Sequence, residues 1–85
     1  MRKVIIYTTK LCPYCIKAKK LLDQKGVVYQ EIRVEENLRL AVEMKQKSGG
    51  RKTVPQIFSD DFHVGGCDDL YALEQENKLD GLLEG

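Results

Sequence analysis

The chain has 85 residues, 42% of them hydrophobic, and its 14 Lys and Arg residues against 13 Asp and Glu residues give a formal net charge of +1. So short a chain allows one domain and no more, and we predict a single domain, residues 1–85. The balanced charge argues against nucleic-acid binding, which is typical of strongly basic domains. The longest stretch without a charged residue, Thr53 to Ser59, falls far short of the ~20 apolar residues that span a bilayer, so we expect no membrane association.

The cysteines and the N-terminus bear on the cellular compartment. Cys12, Cys15 and Cys67 are an odd number of cysteines at wide spacing, whereas a disulfide scaffold uses an even and denser set. The apolar run Val4 to Tyr7 is too short for the core of a secretory signal, which needs about 7–15 residues. We therefore expect a cytoplasmic protein. In such a reducing compartment, a Cys-x-x-Cys pair serves redox catalysis or metal binding more often than it forms a structural bridge.

The first half of the chain predicts a strand, a helix and a second strand. Lys3 to Thr8 is a β-branched run without alternation, which is typical of a strand buried on both faces. Pro13 suits the first turn of a helix and Gly26 suits its end, with apolar residues at helical spacing between them. Val27 to Val34 indicates a strand that is polar enough to lie at an edge of the sheet.

The second half predicts a helix, a hairpin and a further helix. The helix runs from Glu35 to Lys47, and its apolar stripe is Leu38, Ala41, Val42 and Met44. Asp60-Asp61 forms the tight turn of a hairpin between two short runs, Gln56 to Ser59 and Phe62 to Gly65. The third helix begins within residues 65–70, where acidic residues complement the helix dipole, and a short helical turn is expected at residues 79–83.

The resulting order is β-α-β-α-β-β-α. A strand–helix–strand start implies a right-handed crossover and parallel pairing, whereas the later hairpin is antiparallel. We predict an α/β fold with a mixed four-stranded sheet that has helices on both faces.

The segment Cys12-Pro13-Tyr14-Cys15 lies between the first strand and the first helix, a position typical of a redox-active turn. Cys12 is expected at the helix N-terminus, where free N–H groups and the helix dipole favour the thiolate over the thiol. Lys10 and Lys17 add positive potential. We predict that Cys12 is the nucleophile and that Cys15, one turn into the helix and less exposed, is the resolving thiol.

Two other interpretations of these cysteines remain open at this point. Free cysteines are often ordinary buried apolar residues. Alternatively, a zinc-binding module would combine the pair with His63 and Cys67 as a Cys3His ligand set. His63 alone is typical of a surface residue on a short strand, because nothing near it in sequence suggests a base or a ligand.

Four motifs make the chain resemble the glutaredoxins, most closely the small bacterial dithiol type, over essentially its whole length. They are Tyr7-Thr8, Cys12-Pro13-Tyr14-Cys15, Thr53-Val54-Pro55-Gln56-Ile57-Phe58 and Gly65-Gly66-Cys67-Asp68-Asp69-Leu70. The sequence contains no Trp, and so lacks the tryptophan-flanked site of the thioredoxins. The resemblance implies a thioredoxin-like fold and a glutathione-dependent thiol–disulfide oxidoreductase with Cys12 and Cys15 as its redox-active disulfide. It further implies glutathione as co-substrate and no tightly bound cofactor.

The resemblance also implies where glutathione binds. Val54-Pro55 is expected to be a cis peptide that faces the cysteines, with the Val54 backbone pairing with the extended tripeptide. The turn at Gly66 is expected to hold the γ-glutamyl end, with helix N–H groups on its α-carboxylate and the Asp68 carboxylate on its ammonium group. The full set of expected glutathione-binding residues is Lys10, Tyr14, Thr53, Val54, Pro55, Gly66, Cys67 and Asp68.

The chain departs from the family pattern at two positions that concern the glycyl carboxylate of glutathione. Thr9 stands where glutaredoxins usually carry Lys, with Lys10 one residue closer to the first cysteine. Ala41 stands where the second helix often supplies a polar group, and we expect Arg51 or Lys52 to substitute for it.

The partners that the resemblance implies are glutathione and glutathionylated or disulfide-containing proteins, with ribonucleotide reductase as a family-level candidate, and we expect a monomer. One alternative is an iron–sulfur cluster shared by two protomers through Cys12 and two glutathiones. Glutaredoxins that do this typically have glycine after the first cysteine, and Pro13 argues against it here. Another alternative is a related enzyme that thioredoxin reductase recharges, which would be active without glutathione.

Overall fold

Four strands form one mixed sheet in this computed structural model, which describes residues 2–84. They are β1 (Val4–Thr8), β2 (Tyr29–Arg33), β3 (Gln56–Ser59) and β4 (Phe62–Gly65). The order across the sheet is β2-β1-β3-β4, with β1 parallel to β2 and antiparallel to β3, and β3 antiparallel to β4. The predicted mixed sheet, the edge position of the second strand and the antiparallel hairpin are confirmed.

Two helices connect strands and two follow the last strand, in the chain order expected from the sequence. They are α1 (Pro13–Gln24), α2 (Leu38–Lys47), α3 (Cys67–Gln75) and α4 (Leu79–Glu84), with a 3-10 turn at Val34–Glu36. Gly26 follows the end of α1 with a φ of +70°, a backbone conformation that glycine adopts without steric penalty. Within residues 2–84, no helix is long and apolar enough to cross a bilayer.

The core has two parts, one on each face of the sheet. Alternate side chains of β1 point to opposite faces, as strand geometry requires. Val4 and Ile6 pack with buried residues of α1, α3 and α4, among them Ala18, Leu21, Leu22, Leu70, Leu79 and Leu83. On the other face, Tyr7 packs with Phe58 of β3 and Met44 of α2. The predicted arrangement of helices on both faces is therefore confirmed.

The second helix differs from its prediction in where it begins and which side it buries. It begins at Leu38 rather than Glu35, because the Asn37 side chain accepts a hydrogen bond from the Arg39 N–H (2.9 Å) and caps the helix there. With this start, Leu38 is 81% exposed and Val42 is also exposed, so neither belongs to the core stripe. Leu40, Ala41 and Met44 face the sheet instead.

The strand pairing brings three connecting segments together at one end of the sheet, where β1 and β4 end and β3 begins. Tyr7, near the end of β1, pairs with Gln56 at the start of β3, and Ile57 pairs with Gly65 at the end of β4. Three segments therefore meet at this end of the sheet: the loop after β1, the segment before β3 and the turn after β4. These connections carry the Cys12-Pro13-Tyr14-Cys15, Thr53-Val54-Pro55 and Gly66-Cys67-Asp68 segments.

Candidate active site

The Cys12 sulfur lies at the N-terminus of α1. Cys12 is the N-cap residue, with an extended backbone (φ −129°, ψ 101°), and Pro13 occupies the first helical position. Its Sγ accepts a hydrogen bond from the Cys15 N–H at 3.1 Å. That N–H is one of the donors that a helix N-terminus leaves without an intrahelical partner. Together with the positive end of the helix dipole, the bond favours negative charge on this sulfur.

Cys12 and Cys15 form a disulfide pair across the first turn of α1. Their Cα atoms are 5.1 Å apart, within the usual range for a disulfide of about 4.4–6.8 Å. Cys15 is 1% exposed and Cys12 is 7% exposed, so most of the Cys12 residue is covered as well. The carbonyl oxygen of Val54 lies 3.8 Å from the Cys12 Sγ, which places the segment before β3 directly against the sulfur.

The Val54-Pro55 peptide bond is cis, as the resemblance implied. Together with its neighbours it forms one wall of a cleft of about 140 Å³ beside the cysteines. The residues that line this cleft are Tyr14, Arg51, Thr53, Val54, Pro55, Gly66, Cys67, Asp68 and Asp69. Seven of the eight residues expected to bind glutathione therefore lie together, and Lys10 is the exception.

The two lysines that were expected to add positive potential at the cysteines do not line the cleft. Lys10 is exposed, does not line the cleft, and donates its backbone N–H to the Glu35 carboxylate. Lys17 lies over the Tyr71 ring, with its Nζ 4.7 Å from the ring centroid.

The start of α3 also lines the cleft. The Asp69 carboxylate accepts hydrogen bonds from the Gly66 N–H (2.9 Å) and from the Arg51 guanidinium (3.2 Å). The Gly66 bond is the main cause that lowers the pKa of Asp69, and the Arg51 bond adds to it. Gly65 has a φ of +114°, and a Cβ there would overlap the Asp69 side chain, so this turn requires glycine.

Asp69 belongs to a motif that the sequence analysis singled out, but it was not among the residues expected to bind glutathione. The signal for it was present, because an acidic residue three positions after a helix N-cap is half of a capping box. Arg51, one of the two basic residues expected to substitute for the family's usual contacts, lines the cleft, whereas Lys52 is not among its lining residues.

Cys67 and His63 complete the groups that the sequence singled out. The Cys67 thiol is buried at the cleft, and burial raises its pKa. His63 is half-buried rather than on the open surface: its Nε2 lies 2.7 Å from the Gln56 Oε1, and its ring stacks on Phe58 with centroids 4.8 Å apart. No group of three or more His, Cys, Asp and Glu residues that could hold a metal ion occurs in the described part of the chain, so the alternative zinc ligand set is not assembled.

Comparison with known proteins gives consistent matches over the whole fold. A family model described as Glutaredoxin matches residues 4–64. The chain is 59% identical to Glutaredoxin 1 of Rickettsia felis, an alignment that covers 100% of this chain and 84% of that protein. It is similar to the solution structure of a glutaredoxin from Brucella melitensis, with 57% identity, a TM-score of 0.86, and coverage of 98% of this chain and 89% of that one. It is also similar to the crystal structure of a buckwheat glutaredoxin–glutathione complex, with 30% identity, a TM-score of 0.88, and coverage of 98% and 77%.

Proposed function

The chain belongs to the glutaredoxin family, whose members are thiol–disulfide oxidoreductases, and we propose that it reduces glutathione-mixed disulfides and protein disulfides with glutathione as co-substrate. The observation that carries this proposal is the position of the Cys12 sulfur. It accepts a hydrogen bond from the Cys15 N–H at 3.1 Å and lies next to Val54, which lines the cleft. The relative from buckwheat, described as a glutaredoxin–glutathione complex, supports glutathione as the ligand.

The proposed reaction with a glutathione-mixed disulfide uses Cys12 alone. The Cys12 thiolate attacks the glutathione sulfur, a Cys12–glutathione disulfide forms, and the substrate leaves as a thiolate that takes a proton from water. The thiolate of a second glutathione then attacks the sulfur of the bound glutathione. Glutathione disulfide is released, and Cys12 returns to its thiolate form at the α1 N-terminus.

The proposed reaction with a protein disulfide uses both cysteines. The Cys12 thiolate attacks one sulfur of the substrate and forms a mixed disulfide, and the other substrate sulfur leaves as a thiolate that takes a proton from water. The Cys15 thiolate then attacks Cys12, which releases the second substrate thiol and leaves the Cys12–Cys15 disulfide. The short Cα separation of 5.1 Å supports this step. Two glutathione molecules reduce the pair and leave as glutathione disulfide.

The cleft has complementary groups for the two ends of glutathione. We expect the Val54 backbone to pair with the central cysteine residue, whose sulfur then lies beside Cys12. The free N–H groups at the start of α3 suit the γ-glutamyl carboxylate, and the Asp68 carboxylate suits its ammonium group. Arg51 is half exposed at the same cleft and is available to a glutathione carboxylate.

Protein substrates are expected to dock around the Cys12 turn. Three large apolar side chains flank it in an exposed position: Leu11, which is 90% exposed, Tyr14 and Ile16. An exposed apolar cluster beside a reactive group is typical of a protein-binding surface. We propose glutathionylated and disulfide-containing cytoplasmic proteins as these substrates, with ribonucleotide reductase as one candidate, and a monomer as the active form.

The proposal is tested by turnover of a glutathione-mixed disulfide, coupled through glutathione reductase to NADPH oxidation. Wild type and Cys15→Ser are expected to be active, because this reaction needs only Cys12. Cys12→Ser is expected to lose activity, and Cys15→Ser is expected to lose reduction of protein disulfides. Activity that survives in Cys12→Ser, or a folded wild type that is inactive, contradicts the proposal. An inactive protein that binds a metal or an iron–sulfur cluster would favour the binding-module alternative.

A further inference from the structure

The segment 50–55 forms one wall of the cleft without belonging to a helix or a strand. Arg51, Thr53, Val54 and Pro55 all line the cleft. The Val54 carbonyl oxygen is 3.8 Å from the Cys12 Sγ, so a small shift of this backbone changes the space beside the reactive sulfur. A segment with few backbone partners of its own needs other groups to hold it in place.

Buried polar side chains hold this segment. Among residues 2–84, four polar side chains are buried: Thr8, Ser48, Gln56 and Ser59. Burying a polar group is unfavourable unless it forms hydrogen bonds, so the hydrogen-bond partners of these side chains show which parts of the chain they stabilise. The Gln56 Nε2 donates to the Thr53 carbonyl oxygen (3.0 Å) and to the Thr53 Oγ1 (3.2 Å). The Ser48 Oγ donates to the Arg51 carbonyl oxygen at 3.1 Å.

The orientation of the Gln56 amide follows from its partners. A backbone carbonyl only accepts hydrogen bonds, so the amide group facing the Thr53 carbonyl is the NH2 group. The Gln56 Oε1 therefore faces the His63 Nε2, 2.7 Å away, and that nitrogen must carry a hydrogen. Stacking on Phe58 fixes the His63 ring. A continuous chain of hydrogen bonds thus runs from His63 through Gln56 to Thr53.

We propose that Gln56 is a positioning residue, which sets the backbone of residues 53–54 against the Cys12 sulfur and so determines how tightly the glutathione-mixed disulfide binds. Gln56 is fully buried and is not among the residues that line the cleft, so it acts through Thr53 and Val54. His63 supports it by holding the amide oxygen. The inference rests on the proposed function, because it concerns the binding of glutathione.

Gln56→Met tests this inference, because it keeps the length of the side chain and removes the amide oxygen and the amide NH2 group. We expect KM for the glutathione-mixed disulfide to rise about tenfold, because the two hydrogen bonds that hold Thr53 are lost. The value of kcat and the pH profile of Cys12 alkylation are expected to stay unchanged, because the α1 N-terminus is untouched. A general loss of stability would not produce this selective change in KM.

Ser59→Ala is the matched control. It removes another buried polar group, whose Oγ donates to the Leu82 carbonyl oxygen in α4, and Ser59 is not among the residues lining the cleft. Its KM is expected to equal that of wild type. An unchanged KM in Gln56→Met, or an equal rise in Ser59→Ala, overturns the inference while the proposed function stands. A wild type without glutathione-dependent turnover would instead contradict the proposed function itself.

His63→Phe provides a second measurement in case Gln56→Met does not fold. The phenyl ring keeps the stacking on Phe58 and removes the hydrogen bond to the Gln56 Oε1. We expect KM to rise about threefold with kcat unchanged, since one of the amide contacts is lost. A KM equal to that of wild type overturns the inference.

Discussion

The Cys12 sulfur takes the place that a Ser or Asp side-chain oxygen usually takes at the start of a helix. As the N-cap of α1 it accepts the Cys15 N–H, and Pro13 follows at a position where a backbone N–H is not needed. We therefore expect the turn that begins the helix to stabilise the thiolate as well. Cys67 also lies close to a helix start, but its sulfur is buried among core residues, and burial raises its pKa.

We predict that iodoacetamide alkylates Cys12 at least about tenfold faster than Cys67 in the reduced protein near neutral pH, because the thiolate is the reacting species. The two residues are similarly covered, at 7% and 5% exposed, so the difference in rate reports thiolate content more than access. Peptide mass spectrometry after limited alkylation measures both rates. Preferential modification of Cys67 would show that the helix N-terminus does not activate Cys12.

At the scale of elements, the start of α3 is held by a side chain that also borders the cleft. The Asp69 carboxylate binds the Gly66 N–H and the Arg51 guanidinium, and so ties the helix to the segment before β3. Both the Arg51 and Asp69 side chains are about half exposed, so solvent screens their ion pair and the backbone bond contributes most.

Asp69→Ala is expected to lower the free energy of unfolding by about 1 kcal/mol at neutral pH, the usual effect of losing a helix cap. The folded-state pKa of Asp69 is lowered, so its contribution is complete above the ordinary value of 3.8 and disappears as the pH falls through the lowered pKa. Denaturant unfolding at several pH values measures this difference between wild type and variant.

Asp68→Ala is the control for that measurement, since Asp68 lies in the same first turn of α3 and adds only a favourable charge near the helix dipole. Its effect on unfolding should be a few tenths of a kcal/mol. A stability gap for Asp69→Ala that persists in strong acid would mean that the carboxylate does not cause it.

Local sequence signals predicted most elements, and the failure in α2 shows their limit. Pro13 and Gly26 marked α1 because each residue has its own backbone preference, which acts without any distant partner. The apolar pattern from residue 35 onward did not distinguish the 3-10 turn from the helix, and Asn37 is the cap that separates them. The sequence prediction also placed Leu38 and Val42 in the core in error, because two adjacent apolar stripes were possible and Leu40, Ala41 and Met44 form the one that is buried.

At the scale of the whole molecule, the two parts of the hydrophobic core pack against opposite faces of the same sheet. Neighbouring residues of β1 and β3 point to opposite faces, so a change on one face disturbs the strands that also support the other. The α/β architecture predicted from the sequence, a thioredoxin-like fold, is confirmed by the match to glutaredoxin structures at TM-scores of 0.86 and 0.88.

Leu22→Ala and Met44→Ala test whether these two cores unfold as one domain. Both residues are buried, Leu22 on the α1 side and Met44 on the α2 side. Each variant is expected to lower the free energy of unfolding by about 2–5 kcal/mol. Tyrosine fluorescence and far-ultraviolet circular dichroism should give the same transition in denaturant for both variants. Separate transitions for the two signals would contradict a single cooperative domain.

The candidate site was predictable where a motif itself supplies the backbone geometry, as at Cys12, Val54-Pro55 and Gly66. The contacts of long side chains were not, because they depend on which distant segments the sheet brings together. Lys10 was expected at the cleft and does not line it, while His63 was expected on the surface and forms a hydrogen bond with Gln56.

The most direct test of the account is to determine which cysteine, if any, forms a disulfide with glutathione. Reduced Cys15→Ser, mixed with glutathione disulfide, has no resolving thiol and should retain the adduct. We predict one glutathione per chain, attached to Cys12 in peptide mass spectrometry and released by reduced glutathione. A folded protein that stays unmodified, or that carries the glutathione on Cys67, would contradict the assignment of Cys12 as the nucleophile of a glutathione-dependent oxidoreductase.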